Sequence, residues 1–154
     1  MSGAVVGIDP GLTGAIAYVT ASTLVVVDMP VCDGDVDPYE LTQTIINLGP
    51  VDVVALEAVH SMPRQGLAST FRFGKGYGTI IGVLAALERP VVRVAPTTWT
   101  KAMRVGPDKD AHRMRCKELW PAGADLFSRK KDDGRADAAL IAWWAMHLRE
   151  GRAA

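Results

Sequence analysis

Apolar residues in the first third of the chain come in short runs separated by turn residues, the mark of strands rather than helices. AVVGID (4–9) is one such run ending in an acid, and AIAYVT (15–20) and LVVVD (24–28) follow at turn-length separations. Connections this short join antiparallel neighbours, because parallel neighbours need a long crossover. PYELTQTIINLG (38–49) opens on Asp37-Pro38 and closes on Gly49-Pro50, the start and stop signals of a helix. VDVVALE (51–57) reads as a buried strand ending in Glu57. After a loop holding Pro63 and Gly66, the pattern predicts a helix over about 67–87, a strand VVRV at 91–94, shorter helices near 97–103 and 109–119, and a last helix over about 134–149. The order β-β-β-α-β-α-β-α predicts a mixed sheet with helices on its faces.

No repeat, low-complexity tract or interdomain linker interrupts this order. A chain of 154 residues with 49% hydrophobic content is expected to form one domain over 1–154, with a real core but no room for two lobes around a cleft. There is no run of about 18 apolar residues to span a bilayer, and MSGAVVGID lacks the pattern of a secretory signal. The expectation is a cytoplasmic protein with no membrane partner. Cys32 and Cys116 are isolated, without the C-x-x-C spacing of a thiolate metal site, and read as incidental or buried thiols.

Charge changes the picture once it is divided along the chain. Residues 1–60 hold eight acids and no Lys or Arg, whereas residues 61–135 hold fifteen basic residues against seven acids. Such asymmetry points to a polyanionic partner. Topology then gathers the acids. If the helix at 38–49 is the crossover that returns VDVVALE parallel to AVVGID, Asp9 and Glu57 lie side by side at the C-terminal strand ends, where open α/β sheets bind ligands. Two adjacent carboxylates repel unless a proton or cation lies between them, and an all-oxygen set suits Mg²⁺ or Mn²⁺. The turn GIDPGLTG leads into a strand and has neither phosphate-loop spacing, so Pro10 and Gly11 are expected to make a tight turn holding Asp9, with Gly14 relieving crowding.

GIDPGLTG with Asp9, ALEAVH with Glu57, VAPTTWTK, and DGRADAALIA with Asp137 together resemble the RuvC-like Holliday-junction resolvases, particularly the compact phage-type members, within the RNase H-like nuclease superfamily. The resemblance runs from about residue 5 to 145. It implies an RNase H-like α/β fold: a mixed five-stranded sheet, three antiparallel strands then parallel strands, with helices on both faces. It also implies a Mg²⁺- or Mn²⁺-dependent endonuclease with two ions per site, acting on four-way DNA junctions in recombination and repair in the cytoplasm of a bacterial host. Neighbouring readings are an RNase H-like nuclease for RNA/DNA hybrid or branched replication DNA, and a silent junction-binding module. The sequence offers no Ser-His-Asp or Cys-His set, and His60 and His112, which have the chemistry of bases or ligands, are single histidines without a partner and read first as surface or core residues.

Asp9, Glu57 and Asp137 match the family's acidic positions. Many members carry Asp or His three residues before the last acid, where this chain has Gly134. Asp133, about 40° around a helix from Asp137, is the expected fourth ligand, or else the N-cap of the last helix. Asp132 is expected on a DNA-facing rim with its basic neighbours. Lys101 and Lys109 resemble basic positions near the scissile phosphate, with Lys109 expected to stabilise transition-state charge. Arg64, Arg72, Lys75, Arg104, Arg113, Arg115, Arg129, Lys130, Lys131 and Arg135 are candidate phosphate contacts. Phe71 and Phe73 alternate with basic residues and are candidates for stacking on an opened base or for core packing. Gly74, Gly78 and Gly82 recur every four residues, a pattern for close packing against the sheet or for a twofold dimer surface suited to a twofold junction. Trp143, Trp144, Ala136, Leu140 and Met146 are expected to pack the last helix on the sheet, and Trp99 and Trp120 to lie in the core.

Overall fold

The computed structural model describes residues 3–59, 64–149 and 151, so His60 lies outside the described residues. A five-stranded sheet has the order β3-β2-β1-β6-β7. Strands β1 (Val5–Asp9), β2 (Ala15–Val19) and β3 (Leu24–Asp28) form the antiparallel meander. A small hairpin, β4 (Val31–Cys32) and β5 (Asp35–Val36), precedes α1 (Pro38–Asn47). Two-residue strands carry no period, which is why the sequence pattern did not reveal them. The Asp37 carboxylate caps α1, accepting the Tyr39 and Glu40 amides at 2.9 and 3.1 Å.

Helix α1 is the crossover that sets β6 (Val53–Glu57) parallel to β1, with Val5 opposite Val53 and Ile8 opposite Leu56. Asp9 and Glu57 therefore end adjoining strands. Helix α2 (Leu67–Ala86) leads to β7 (Val91–Val94), parallel to β6. Helices α3 (Pro96–Met103) and α4 (Lys109–Leu119), a 3-10 segment (Pro121–Phe127) and α5 (Asp133–Arg149) complete the order. The expected mixed sheet with helices on both faces is present.

The two-residue side-chain period of a strand assigns each acid to a face. Val6, Ile8, Val54 and Leu56 pack with Leu41, Ile45, Ile80 and Leu84 of α1 and α2. Val5 and Ala55 face the opposite core, built from α3, α4 and α5. Asp9 and Glu57 share the parity of that second face, and α5 supplies Asp137 to it.

Helix α5 lies unusually close to the sheet. A Cβ on Gly7 would sit under 3.0 Å from the Ala138 carbonyl and the Ala142 amide, and one on Gly134 would meet the backbone of Thr13 and Gly14 equally closely. Gly14 is needed in turn because a Cβ there would strike the Asp9 carbonyl. The turn itself is closed by the Gly14 amide on the Gly11 carbonyl at 2.9 Å, which puts Leu12 and Thr13 at its centre, two residues beyond the expected Pro10 and Gly11. Ala136, Leu140, Trp144 and Met146 are buried on this interface as expected, and Trp143 packs edge-on against Trp120 at 5.4 Å. Cys116 is buried and Cys32 exposed, both as free thiols.

Gly74, Gly78 and Gly82 differ from these glycines, since a Cβ at any of them would meet nothing within 4 Å. They are exposed, and α2 packs inward through Gly76, Ile80, Val83 and Leu84 instead. The reading of this glycine face as packing against the sheet is therefore corrected.

Contrasting substitutions test this division. Gly134→Ala forces backbone apart and is expected to cost about 2–3 kcal/mol in urea unfolding. Gly78→Ala, in open space on a helix, should raise monomer stability by up to about 1 kcal/mol.

Candidate active site

Asp9, Glu57 and Asp137 converge at the C-terminal edge of β1 and β6. Asp137 is buried, and both of its oxygens are engaged by α4: Oδ2 accepts Lys109 Nζ, and Oδ1 lies 2.6 Å from His112 Nδ1. Glu57 Oε2 accepts the Trp99 indole N–H at 2.6 Å. Asp9 Oδ1 accepts the Gly11 amide at 3.4 Å, a long bond that leaves this carboxylate the least satisfied.

Electrostatics follow from that inventory. Burial, reinforced by the charges of Asp137 and Glu57, pushes Asp9 up to about 7. Glu57 is also raised, chiefly by burial; the Trp99 bond pulls it down while Asp137 pushes it up. Burial works against the charge on Lys109, yet its bond to Asp137 and the fields of all three acids hold its ammonium above its ordinary value. Burial likewise opposes a charge on His112, and the bonds to Asp137 and to the Gly106 carbonyl overcome it. With the Gly106 oxygen 2.8 Å from Nε2 and the Asp137 carboxylate at Nδ1, both ring nitrogens face acceptors, which only the imidazolium satisfies.

Three acids thus face two cationic side chains, Lys109 and His112, and burial together with the neighbouring carboxylates leaves Asp9 raised to about 7. The donor set fits a hard divalent cation in kind, with Asp9, Glu57 and Asp137 as the residues to hold it. Among the described residues no three His, Cys, Asp or Glu side chains already close into a metal cage. Lys109 and His112 hold the two oxygens of Asp137, and Trp99 holds one oxygen of Glu57.

The other expected residues fall into distinct places. Asp133, the expected fourth ligand, has its Oδ1 bound by Arg113, which also binds Asp110. It is not a cap, because its backbone is already helical. No side chain is possible at Gly134, where the β1–β2 turn sits directly on the helix. Asp132 is corrected from the DNA rim to the interior, being 1% exposed. It accepts the Arg129 amide at 2.7 Å and the Arg129 guanidinium at 2.7 and 3.0 Å, stapling the turn before α5. Arg135 is paired with Asp28 at 2.7 Å, and Arg115 with Glu118 at 3.0 Å. Lys75 bridges to Asp35 at 2.7 Å and lies over the Phe71 ring. Arg64, Arg72, Lys101, Arg104, Lys130 and Lys131 are exposed. Phe71 is exposed, with Lys75 over its ring, and Phe73 is half-buried.

His112 and Trp99 are the site residues that sequence reasoning passed over. His112 stands three residues after Lys109, hence on the same helical face, and that spacing was the available signal. Nothing local marked Trp99, whose partner is 42 residues away.

No family model matches the sequence, and no curated protein sequence matches it. Solved structures do share its fold. Thermus thermophilus RuvC in complex with a Holliday junction substrate matches with a TM-score of 0.68 at 20% identity, covering 97% of each chain. The yeast mitochondrial Holliday junction resolvase matches at 0.58 and 18% identity, over 96% of this chain and 81% of its own. The fowlpox virus Holliday junction resolvase matches at 0.56 and 16% identity, over 96% and 99%. This chain has the RuvC fold along nearly its whole length.

Metal-free stability should report the crowded carboxylates. Asp9 ionises near 7 when folded but near 3.9 when unfolded. Between those values the unfolded chain releases the proton first, so the stabilisation present below about pH 4 is lost as pH rises through 7. Asp9→Asn should therefore stabilise the protein in EDTA at pH 8 relative to pH 5, by on the order of 2 kcal/mol in urea unfolding. Mg²⁺ should stabilise the parent at pH 8 and have little effect on the variant.

Proposed function

We propose that this chain, carrying the RuvC fold, is a metal-dependent endonuclease that resolves four-way DNA junctions as a homodimer, with Mg²⁺ or Mn²⁺ and two ions per site. The observation that carries the reading is the trio Asp9, Glu57 and Asp137 at one sheet edge, where burial and the two neighbouring carboxylates push Asp9 up to about 7. The RuvC neighbour solved with a Holliday junction substrate supports the same substrate class. Bound there, divalent ions supply an activated water and charge for the leaving 3′ oxygen.

The protein's own groups then have separable tasks. His112 is a positioning residue that fixes Asp137 between α4 and α5. Lys109 neutralises Asp137 in the resting site, and its half-exposed stem lets the ammonium swing to an incoming phosphate. Lys101 and Arg104 on α3, with Lys130 and Lys131 before α5, supply exposed cations for the DNA backbone. Arg113, Arg129 and Arg135 instead spend their charge on Asp133, Asp132 and Asp28.

The outer face of α2 supports the dimer. Leu67 and Phe71 are 92% and 69% exposed, and the open glycines Gly74, Gly78 and Gly82 follow along the helix. A twofold axis through such a face gives a self-complementary contact and places two sites on a substrate of matching symmetry.

Labelled four-way junction, linear duplex and RNA/DNA hybrid, each with Mg²⁺ or Mn²⁺, test the proposal. The junction should be cut by paired symmetric nicks, and Asp9→Asn should lower the rate at least about a hundredfold while junction binding persists. Equal cutting of plain duplex would overturn junction selectivity, and preferential cutting of hybrid would favour the ribonuclease reading. Lys130→Ala should weaken binding to all DNA sequences alike and reduce the salt slope by about one.

A further inference from the structure

The strand that carries Glu57 is held differently at its two edges. Along β6 the backbone groups alternate between neighbours, and the amides of Val54 and Ala58 donate to the Pro90 and Val94 carbonyls at 2.8 and 2.7 Å on the β7 side. The N–H and C=O of Glu57, one residue before Ala58, therefore face β1. In the register that sets Ile8 opposite Leu56, the donor to the Glu57 carbonyl would be the amide of residue 10. Residue 10 is Pro, buried and without an N–H. The ladder thus lacks a rung where the two strand-end acids adjoin.

Helix α2 supplies it. The Tyr77 hydroxyl donates to the Glu57 carbonyl at 3.2 Å, and the Val59 amide, on the same edge of β6, faces that hydroxyl. The Tyr77 ring packs into the core that α1 and α2 build on the first face of the sheet. Trp99, which belongs to the core on the opposite face, holds the Glu57 carboxylate at 2.6 Å. Backbone and side chain of the same acid are therefore fixed from opposite faces of the sheet.

We infer that Tyr77 is a positioning residue for Glu57: its hydroxyl stands in for the amide that Pro10 lacks, and so sets where the Glu57 carboxylate lies relative to Asp9. The inference rests on the nuclease reading above and makes α2, whose outer face is offered to a second copy, a part of the site as well. Without the hydroxyl a part-buried carbonyl loses its donor, and the end of β6 shifts to find another. A misplacement of about 1 Å can cost on the order of a hundredfold in rate, so a smaller shift from one lost bond is expected to cost about tenfold.

Two measurements on one pair of variants test it. Tyr77→Phe removes a single oxygen and keeps the ring. Tyr18→Phe is the control, since Tyr18 packs on the same core but stands opposite Val6, away from the strand ends. In metal-free protein the Trp99 indole N–H signal, followed by NMR, should move in Tyr77→Phe and stay in place in Tyr18→Phe. With Mg²⁺ and saturating four-way junction, Tyr77→Phe should cut about tenfold more slowly than the parent while junction affinity changes less than about threefold. Tyr18→Phe should cut at the parent's rate. An unmoved Trp99 signal, or a parent that cuts junctions no faster than Tyr77→Phe, overturns the positioning role and leaves the nuclease reading intact. If the Trp99 signal moves as expected yet the parent cuts no junction with Mg²⁺ or Mn²⁺, the nuclease reading fails and the hold of Tyr77 on Glu57 stands.

Discussion

The contact between α5 and β1 is the constraint on which the rest of the molecule depends. Asp137 comes from the far end of the chain and reaches Asp9 only because a helix lies almost backbone to backbone on a strand. That approach needs no Cβ at Gly7 and none at Gly134. The same glycine leaves the position one turn before Asp137 without a side chain, so tight packing and a fourth carboxylate on that helix exclude each other. In this chain packing has prevailed, and Asp133 beside it serves Arg113 instead.

Bringing three carboxylates together is unfavourable, and the fold offsets the repulsion from two neighbouring helices, α4 and α3. Helix α4 presents Lys109 and His112, one turn apart, to the two oxygens of Asp137. Trp99 takes one oxygen of Glu57. Asp9 is left with one long bond from Gly11, and burial, reinforced by the neighbouring carboxylates, pushes it up to about 7.

Much of this was legible in the order of residues. Strand and helix positions followed from apolar runs bounded by Gly, Pro and capping acids, and the Asp37 cap was found where the Asp-Pro pair indicated. The parallel pairing of β1 and β6 followed from the length of the crossover. From this alone Asp9 and Glu57 could be placed side by side. The basic residues were less legible, because charge counts do not reveal partners: Arg129 and Arg135 look like a DNA-facing cluster in sequence, yet one staples the buried Asp132 and the other reaches Asp28, 107 residues away.

What the sequence by itself determined, then, is the main strands and helices, though not the β4–β5 hairpin or the 3-10 segments, the pairing of β1 with β6 and the two acids that end these strands, since these depend on local periodicity and on the reach of short connections. Tertiary structure alone decided which charges are free. It turned Asp132 inward, drew His112 and Trp99 into the site, and exposed the glycines of α2 while burying Gly7 and Gly134. The physical reason is that hydrogen bonding, desolvation and steric contact act between surfaces that meet only after the helices have docked on the sheet.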